Sequence, residues 1–183
     1  MKKILLRLLY FIIVLLIIIF LYFSFGTRSF HLRANSNAMY PTIPNGVKIC
    51  VLRGFYSSIE SVDRFDVVCI HKDPLSTGQK CFMIRRIVGL PNETVSIDDT
   101  KGLLVNNESI DFPEEISASY QFLGRFDADL IFPSYKISPV TLKGDEFFVL
   151  ADSHTNSIDS RIFSAVKFDE IVGRVKGIED GGK

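Results

Sequence analysis

Two short stretches gather hydroxyls that could do chemistry, one of them with carboxylates, and a third carries a pair of arginines among apolar residues. The longest, Ala151-Asp152-Ser153-His154-Thr155-Asn156-Ser157-Ile158-Asp159-Ser160-Arg161, packs hydroxyls, two carboxylates and a guanidinium into one run. The second is Ser36-Asn37-Ala38-Met39-Tyr40-Pro41-Thr42, and the third is Ile84-Arg85-Arg86-Ile87-Val88-Gly89-Leu90-Pro91. A serine hydroxyl attacks a carbonyl carbon efficiently when a neutral base takes its proton. Ser36 and Ser157 supply hydroxyls. Arg85 and Arg86 cannot supply the base, because a guanidinium stays protonated and offers donors only. Ala38 has no nucleophilic atom. On an extended strand Ser36 would share a face with position 38, about 6–7 Å away. Lys80 lies five residues before Arg85 and should face the other side of its strand.

In type and order these stretches resemble the signature boxes of type I signal peptidases, membrane serine proteases that cut signal peptides. The family's first box reads Ser-x-Ser-Met-x-Pro-Thr, and its serine before methionine is the nucleophile; Ala38 stands there. The family's base is a lysine in a strand ending Lys-Arg-x-x-Gly-x-Pro; Arg85 stands there, followed by Arg86. Arg64-Phe65-Asp66-Val67-Val68, Gly102-Leu103-Leu104-Val105-Asn106 and Ile171-Val172-Gly173-Arg174-Val175 match further family stretches in the same order. The resemblance implies a serine–lysine mechanism, with the lysine kept neutral by burial. It implies an oxyanion-helper role for Ser36 and a base-orienting role for Ser157. Met39 and Ile84 would line the substrate pocket. Arg86 and Arg161 would pair with Asp152 and Asp159, in an order the sequence leaves open. Arg85 would need its own acceptor, for which Ser157, a backbone carbonyl or a ligand carboxylate are candidates. Three departures fall at turns: Gly46-Val47 and Asn92-Glu93 each replace the family's Gly-Asp, and Ala151-Asp152-Ser153-His154 replaces Gly-Asp-Asn-Arg.

Loss of one member of such a catalytic unit typically costs about 10⁴–10⁶ in rate, and the losses do not add. Two losses point to a site no longer used for cleavage. The expected function is therefore that of a membrane-anchored signal peptidase-like protein that lacks peptidase activity. It would bind extended segments of secreted or pilus subunits as an assembly factor or chaperone, a role the resemblance implies because degenerate Gram-positive relatives include ones needed for pilin assembly. Its expected partners are the membrane, a secreted precursor or pilin subunit, and an active signal peptidase or sortase machinery. The alternative is an active signal peptidase, seen as a serine-to-alanine variant or using another nucleophile. A third reading, a structural membrane protein with a vestigial groove, predicts no peptide binding.

The elements that must position these residues are mainly β. Lys2, Lys3 and Arg7 precede an uncharged run from Leu8 to Phe23, which with Ser24, Phe25 and Gly26 reaches the ~17–20 residues that span a bilayer. Basic residues before the run predict a cytoplasmic N-terminus and an extracellular C-terminal domain on a single-pass anchor in the cell membrane. The run exceeds the roughly 7–15 residues of a cleaved signal peptide, and no Ala-x-Ala site follows it. Residues 1–27 are thus expected as cytoplasmic stub and anchor, and 28–183 as one β domain. Strands are predicted over Val47–Leu52, Asp66–His71, Phe82–Val88, Thr94–Ile97, Leu103–Val105, Phe147–Leu150 and Ile171–Val175. Asn106-Asn107 suggests a small hairpin. The domain's core is expected at 28–100 and 141–183, with 101–140 an irregular excursion broken by Pro113, Pro133 and Pro139.

The 21 basic and 21 acidic residues cancel and form no basic block, which argues against nucleic acid as a partner. Three cysteines and three histidines show no metal-ligand spacing, so neither metal nor cofactor is expected. The cysteines read as small buried apolar residues. A hairpin centred near Leu75 would instead set Cys69 facing Cys81, where a cross-strand disulfide could form.

Overall fold

The computed structural model describes residues 2–25, 29–98, 101–120, 137–153 and 157–179. Arg28, Pro133, His154 and Asn156 lie outside them. Helix α1 runs over Lys2–Phe25 without a proline or glycine to break it. Most of its described apolar side chains, Phe11 and Phe20 among them, stand exposed, while Val14 is half-buried. Among the described residues no helix is long and apolar enough to cross a membrane, so the fold alone does not establish the expected anchor.

Strands β1 (Ser29–Arg33), β2 (Lys48–Arg53), β3 (Val67–Lys72) and β4 (Cys81–Gly89) come first. Then follow β5 (Thr94–Asp98), β6 (Gly102–Val105), β7 (Glu108–Ser109), helix α2 (Glu114–Tyr120) and β8 (Ile137–Thr141). The chain continues through β9 (Glu146–Leu150), α3 (Ser160–Phe163), β10 (Val166–Lys167) and β11 (Ile171–Glu179). Seven strands form one sheet in the order β1-β2-β11-β3-β4-β9-β10, and four form a second, β7-β6-β5-β8. Every pairing is antiparallel. All seven predicted strands are present, and the mainly β expectation holds.

All five residues of β9 are buried. Phe147 and Val149 face a core with Val68, Ile70 and Ile87, while Phe148 and Leu150 face one with Val88, Val95 and Leu142. A strand covered on both faces reads as a continuous apolar run, as this one does. Gly89 is needed where the sheets approach: a Cβ there would lie 2.5 Å from Val95 Cγ2 and 2.9 Å from Phe148 Cβ.

Two expectations are corrected. The stretch 101–140 is not an irregular excursion where it is described. It supplies β6, β7 and β8 of the second sheet, and α2 adds Ile116 and Tyr120 to that sheet's core. The β6–β7 turn forms because Asn106 and Asn107 both adopt positive φ, 53° and 68°, which asparagine tolerates. Pro139 is accommodated because β8 is an edge strand whose register against β5 breaks between Val95 and Ile97.

The second correction concerns the cysteines. In the β3–β4 hairpin Cys69 pairs with Ile84 and Cys81 with Lys72, so the two do not face each other. All three cysteines are free thiols. The register follows from Asp73, whose carboxylate accepts the Leu75, Thr77 and Gly78 amides and builds the turn.

Candidate functional site

The β3–β4 pairing runs the length of β4, from Val67 opposite Arg86 to Lys72 opposite Cys81. On its other side β4 meets β9 only from Arg86 to Gly89. The Cys81–Arg85 half therefore keeps one edge unpaired by β9. Facing it is the segment that carries Ser36, Ala38 and Met39. That segment is tied down by Ser153 N donating to Ala38 O at 2.9 Å and by Ile43 N donating to Met39 O at 2.7 Å.

Between these walls lies a groove. Its narrower part, about 260 Å³, is lined by Leu32, Met39, Ile43, Ile49 and Ile84 together with Ser36, Ala38 and Arg85. Its wider, open part, about 830 Å³, adds Tyr40, Cys81, Ser153, Ser157 and Ile158 and shares Met83 with the narrower one. The groove thus brings together Ser36, Ala38, Met39, Ile84, Arg85 and Ser157. Met39, with Ile43 and Ile49, belongs to a small apolar core beneath it, against which Ile84 packs. Among the described residues lining it there is no lysine, histidine or carboxylate.

Three arginines close to the groove have different electrostatic settings. Arg86 and Asp152 form a bidentate pair, with Nε to Oδ1 at 2.8 Å and Nη2 to Oδ2 at 2.6 Å. Thr42 Oγ1 donates to Asp152 Oδ2 at 2.5 Å and Tyr120 OH donates to Oδ1 at 2.9 Å. Burial works against the charge on Arg86, but the Asp152 carboxylate outweighs it and holds the guanidinium pKa above its usual value. Burial, with Asp152 adding to it, pushes the Tyr120 phenol up. Arg161 pairs with Asp159 in the same bidentate way, at 2.8 and 2.7 Å. Asp159 also caps α3 by accepting Arg161 N, and it accepts Ala151 N at 3.0 Å. The order of pairing is thereby settled.

Arg85 is 7% exposed and makes bonds to carbonyls only. Its Nε and Nη2 share Ile158 O at 2.9 and 2.6 Å, and Nη1 bonds Ile84 O at 2.5 Å. The acceptor is thus backbone, not Ser157, whose hydroxyl donates to Ser153 O at 2.6 Å. Burial lowers the Arg85 pKa, partly opposed by Asp159. Neither effect makes it a base at neutral pH.

Ser36 Oγ accepts the Ala38 amide at 3.4 Å, a long contact that leaves this N–H weakly held. Tyr120 and Cys81 were not singled out as site residues from the sequence. Tyr120 carried no local signal. Cys81 did, because residues 81, 83 and 85 alternate along β4 and share one face.

A model of the family described as signal peptidase, peptidase S26, matches residues 5–178. Signal peptidase I V of Bacillus subtilis (strain 168) is 29% identical over 147 residues, 78% of this chain and 80% of that protein. Signal peptidase I of Bacillus caldolyticus is 27% identical over 143 residues, 75% of this chain and 72% of that one. A crystal structure of a signal peptidase I from Enterococcus faecalis V583 aligns with 67% of this chain and 100% of its own, at 25% identity and a TM-score of 0.44.

Proposed function

The chain belongs to the signal peptidase family, peptidase S26, and from that premise we propose that it holds an extended peptide in its groove without cutting it. The observation that carries this reading is the pairing of Ala38 with Arg85 on the groove walls. A methyl group stands where the nucleophile would be, and a permanently protonated group stands where the base would be. Binding needs neither. The open edge of β4 from Cys81 to Arg85 offers main-chain donors and acceptors to an added strand. The apolar pocket formed with Met39, Ile43 and Ile84 offers a place for an apolar side chain of that strand.

The client is a secreted precursor or pilus subunit, presented near the membrane, and the protein acts as an assembly factor or chaperone beside an active signal peptidase or sortase. Helix α1 is the anchor in this reading. What supports that reading is the uncharged sequence run from Leu8 to Phe23 behind Lys2, Lys3 and Arg7. Exposed apolar side chains from Leu8 to Phe20 favour lipid around it.

The test combines turnover with capture. Purified full-length protein, with contaminating proteases excluded, is expected to leave a secretory precursor intact. A photocrosslinker at position 39 or 84 in intact membranes is expected to capture a client. Processing at a measurable turnover would support a second reading, an active peptidase using another groove nucleophile. Ser36 and Cys81 favour that reading only by position, since both line the groove.

A further inference from the structure

Arg85 carries a buried charge with no carboxylate of its own among the described residues. Asp152 is engaged by Arg86, Thr42 and Tyr120, and Asp159 by Arg161 and Ala151 N. A guanidinium has five N–H donors. Three are used on two neutral carbonyls. One hydrogen on each terminal nitrogen remains without an acceptor among the described residues. Asp159 favours the Arg85 charge from nearby, but Asp159 is already paired with Arg161, which works against that charge, so no carboxylate bonds Arg85 itself, the contact that normally accompanies a buried ion.

We propose that the groove takes the free C-terminal end of a peptide, its α-carboxylate seated between the Arg85 guanidinium, the Ala38 amide and the Ser36 hydroxyl. The proposal rests on the peptide-binding reading above and narrows its ligand to chains that end in the groove. Four features converge on it. Arg85 lines both parts of the groove and has one spare hydrogen on each terminal nitrogen, donors of the kind that carboxylates take. Ala38 lacks the Oγ of a serine, which leaves space beside its N–H for a ligand oxygen. That N–H is held only at 3.4 Å by Ser36 Oγ, so a carboxylate could take it and receive the serine hydroxyl as well. The pocket walled by Met39, Ile43, Ile49 and Ile84 lies beside Ala38 and Arg85 and offers the last side chain an apolar place. An uninterrupted segment would instead place a neutral peptide group there and leave Arg85 without its counter-charge.

The test uses full-length protein in detergent micelles and three fluorescent peptides of one sequence. The first ends Ala-Ser-Ala with a free carboxylate, the second ends in the same residues as an amide, and the third continues for ten residues. Charge-assisted bonds of this type correspond to roughly 10- to 100-fold in affinity. The acid is therefore expected to bind about that much more tightly than the amide or the extended peptide. Arg85→Gln is expected to abolish the difference between acid and amide, while Arg85→Lys keeps part of it. Circular dichroism and the melting temperature of each variant show that the fold persists. Equal affinity for all three peptides, or a preference for the extended one, would overturn this proposal and leave the peptide-binding reading standing. No binding by any of the three would overturn both.

Discussion

Arg86 of β4 and Asp152 after β9 meet in a two-point ion pair that is 8% and 0% exposed at the side chains. It links the floor of the groove to the loop that carries Ser153 and Ser157. Removing one partner strands a buried charge, which costs about 3–5 kcal/mol. Arg86→Met or Asp152→Leu is expected to lower the denaturant midpoint by that equivalent. The double variant Arg86→Met/Asp152→Leu should recover part of the loss, because neither charge is then left unpaired. A double-mutant cycle with no coupling would show that the pair does not hold the loop.

Phe65, just before β3, adopts a φ of +71°. Left-handed backbone disfavours a residue with a Cβ by about 1–2 kcal/mol. Packing offsets this: Phe65 lies 5.5 Å from the Phe112 ring, which stacks on Tyr120 at 4.3 Å. Its carbonyl also accepts Arg86 Nη1 at 2.8 Å. Phe65→Ala loses the packing and keeps the strain, whereas Phe65→Gly loses the packing and relieves the strain. The glycine variant is therefore expected to be more stable than the alanine variant by about 1 kcal/mol, measured by chemical denaturation. The opposite order would mean that no strain is held at residue 65.

The three cysteines differ in reactivity for reasons of burial. Cys69 is fully buried, and burial pushes its thiol up to about 12, so it stays protonated at neutral pH. Cys81 is exposed on the groove wall. Maleimide is expected to label Cys81 first in the native protein, with Cys69 modified only after denaturation. Denatured, non-reduced protein should titrate three thiols. Fewer than three would restore the cross-strand disulfide that the hairpin register argues against. Bound peptide should also slow the labelling of Cys81.

Much of this site was legible through the resemblance of three stretches to one family's boxes. Ser36, Ala38, Arg85 and Ser157 were singled out from separate stretches and do line one groove. Apolar runs located β2 through β6, β9 and β11 because buried strands are written in side chains. What was hidden has physical causes. Pairing of Arg86 with Asp152 rather than Asp159 depends on how β4 meets the end of β9, a contact across 66 positions. The acceptors of Arg85 are the carbonyls of Ile158 and Ile84, and every residue has a carbonyl, so no side-chain pattern marks them. Strand β1 alternates exposed and half-buried residues at a sheet edge, which gives a weak signal. Strand β8 contains Pro139, which reads as a breaker until an edge position admits it.

Restoring the nucleophile alone should not restore cleavage. Ala38→Ser would place a hydroxyl beside the same N–H, yet Arg85 has no lone pair with which to take its proton. A serine without its base is a weak nucleophile, and loss of either partner in such a unit is nearly as damaging as loss of both. The double variant Ala38→Ser/Arg85→Lys is different. The burial that lowers the Arg85 pKa would act on a lysine at the same place, favouring a neutral amine; Asp159 would oppose it, and its own pairing with Arg161 limits that opposition. Single-turnover assays on a secretory precursor are expected to give no product with the wild type or Ala38→Ser. The double variant should exceed Ala38→Ser by about 10² or more. A comparable rate from Ala38→Ser alone would mean that some other group in the groove accepts the proton. Inactivity of a folded double variant would instead mean that the walls have moved beyond the spacing of about 3–3.5 Å that attack on a carbonyl requires.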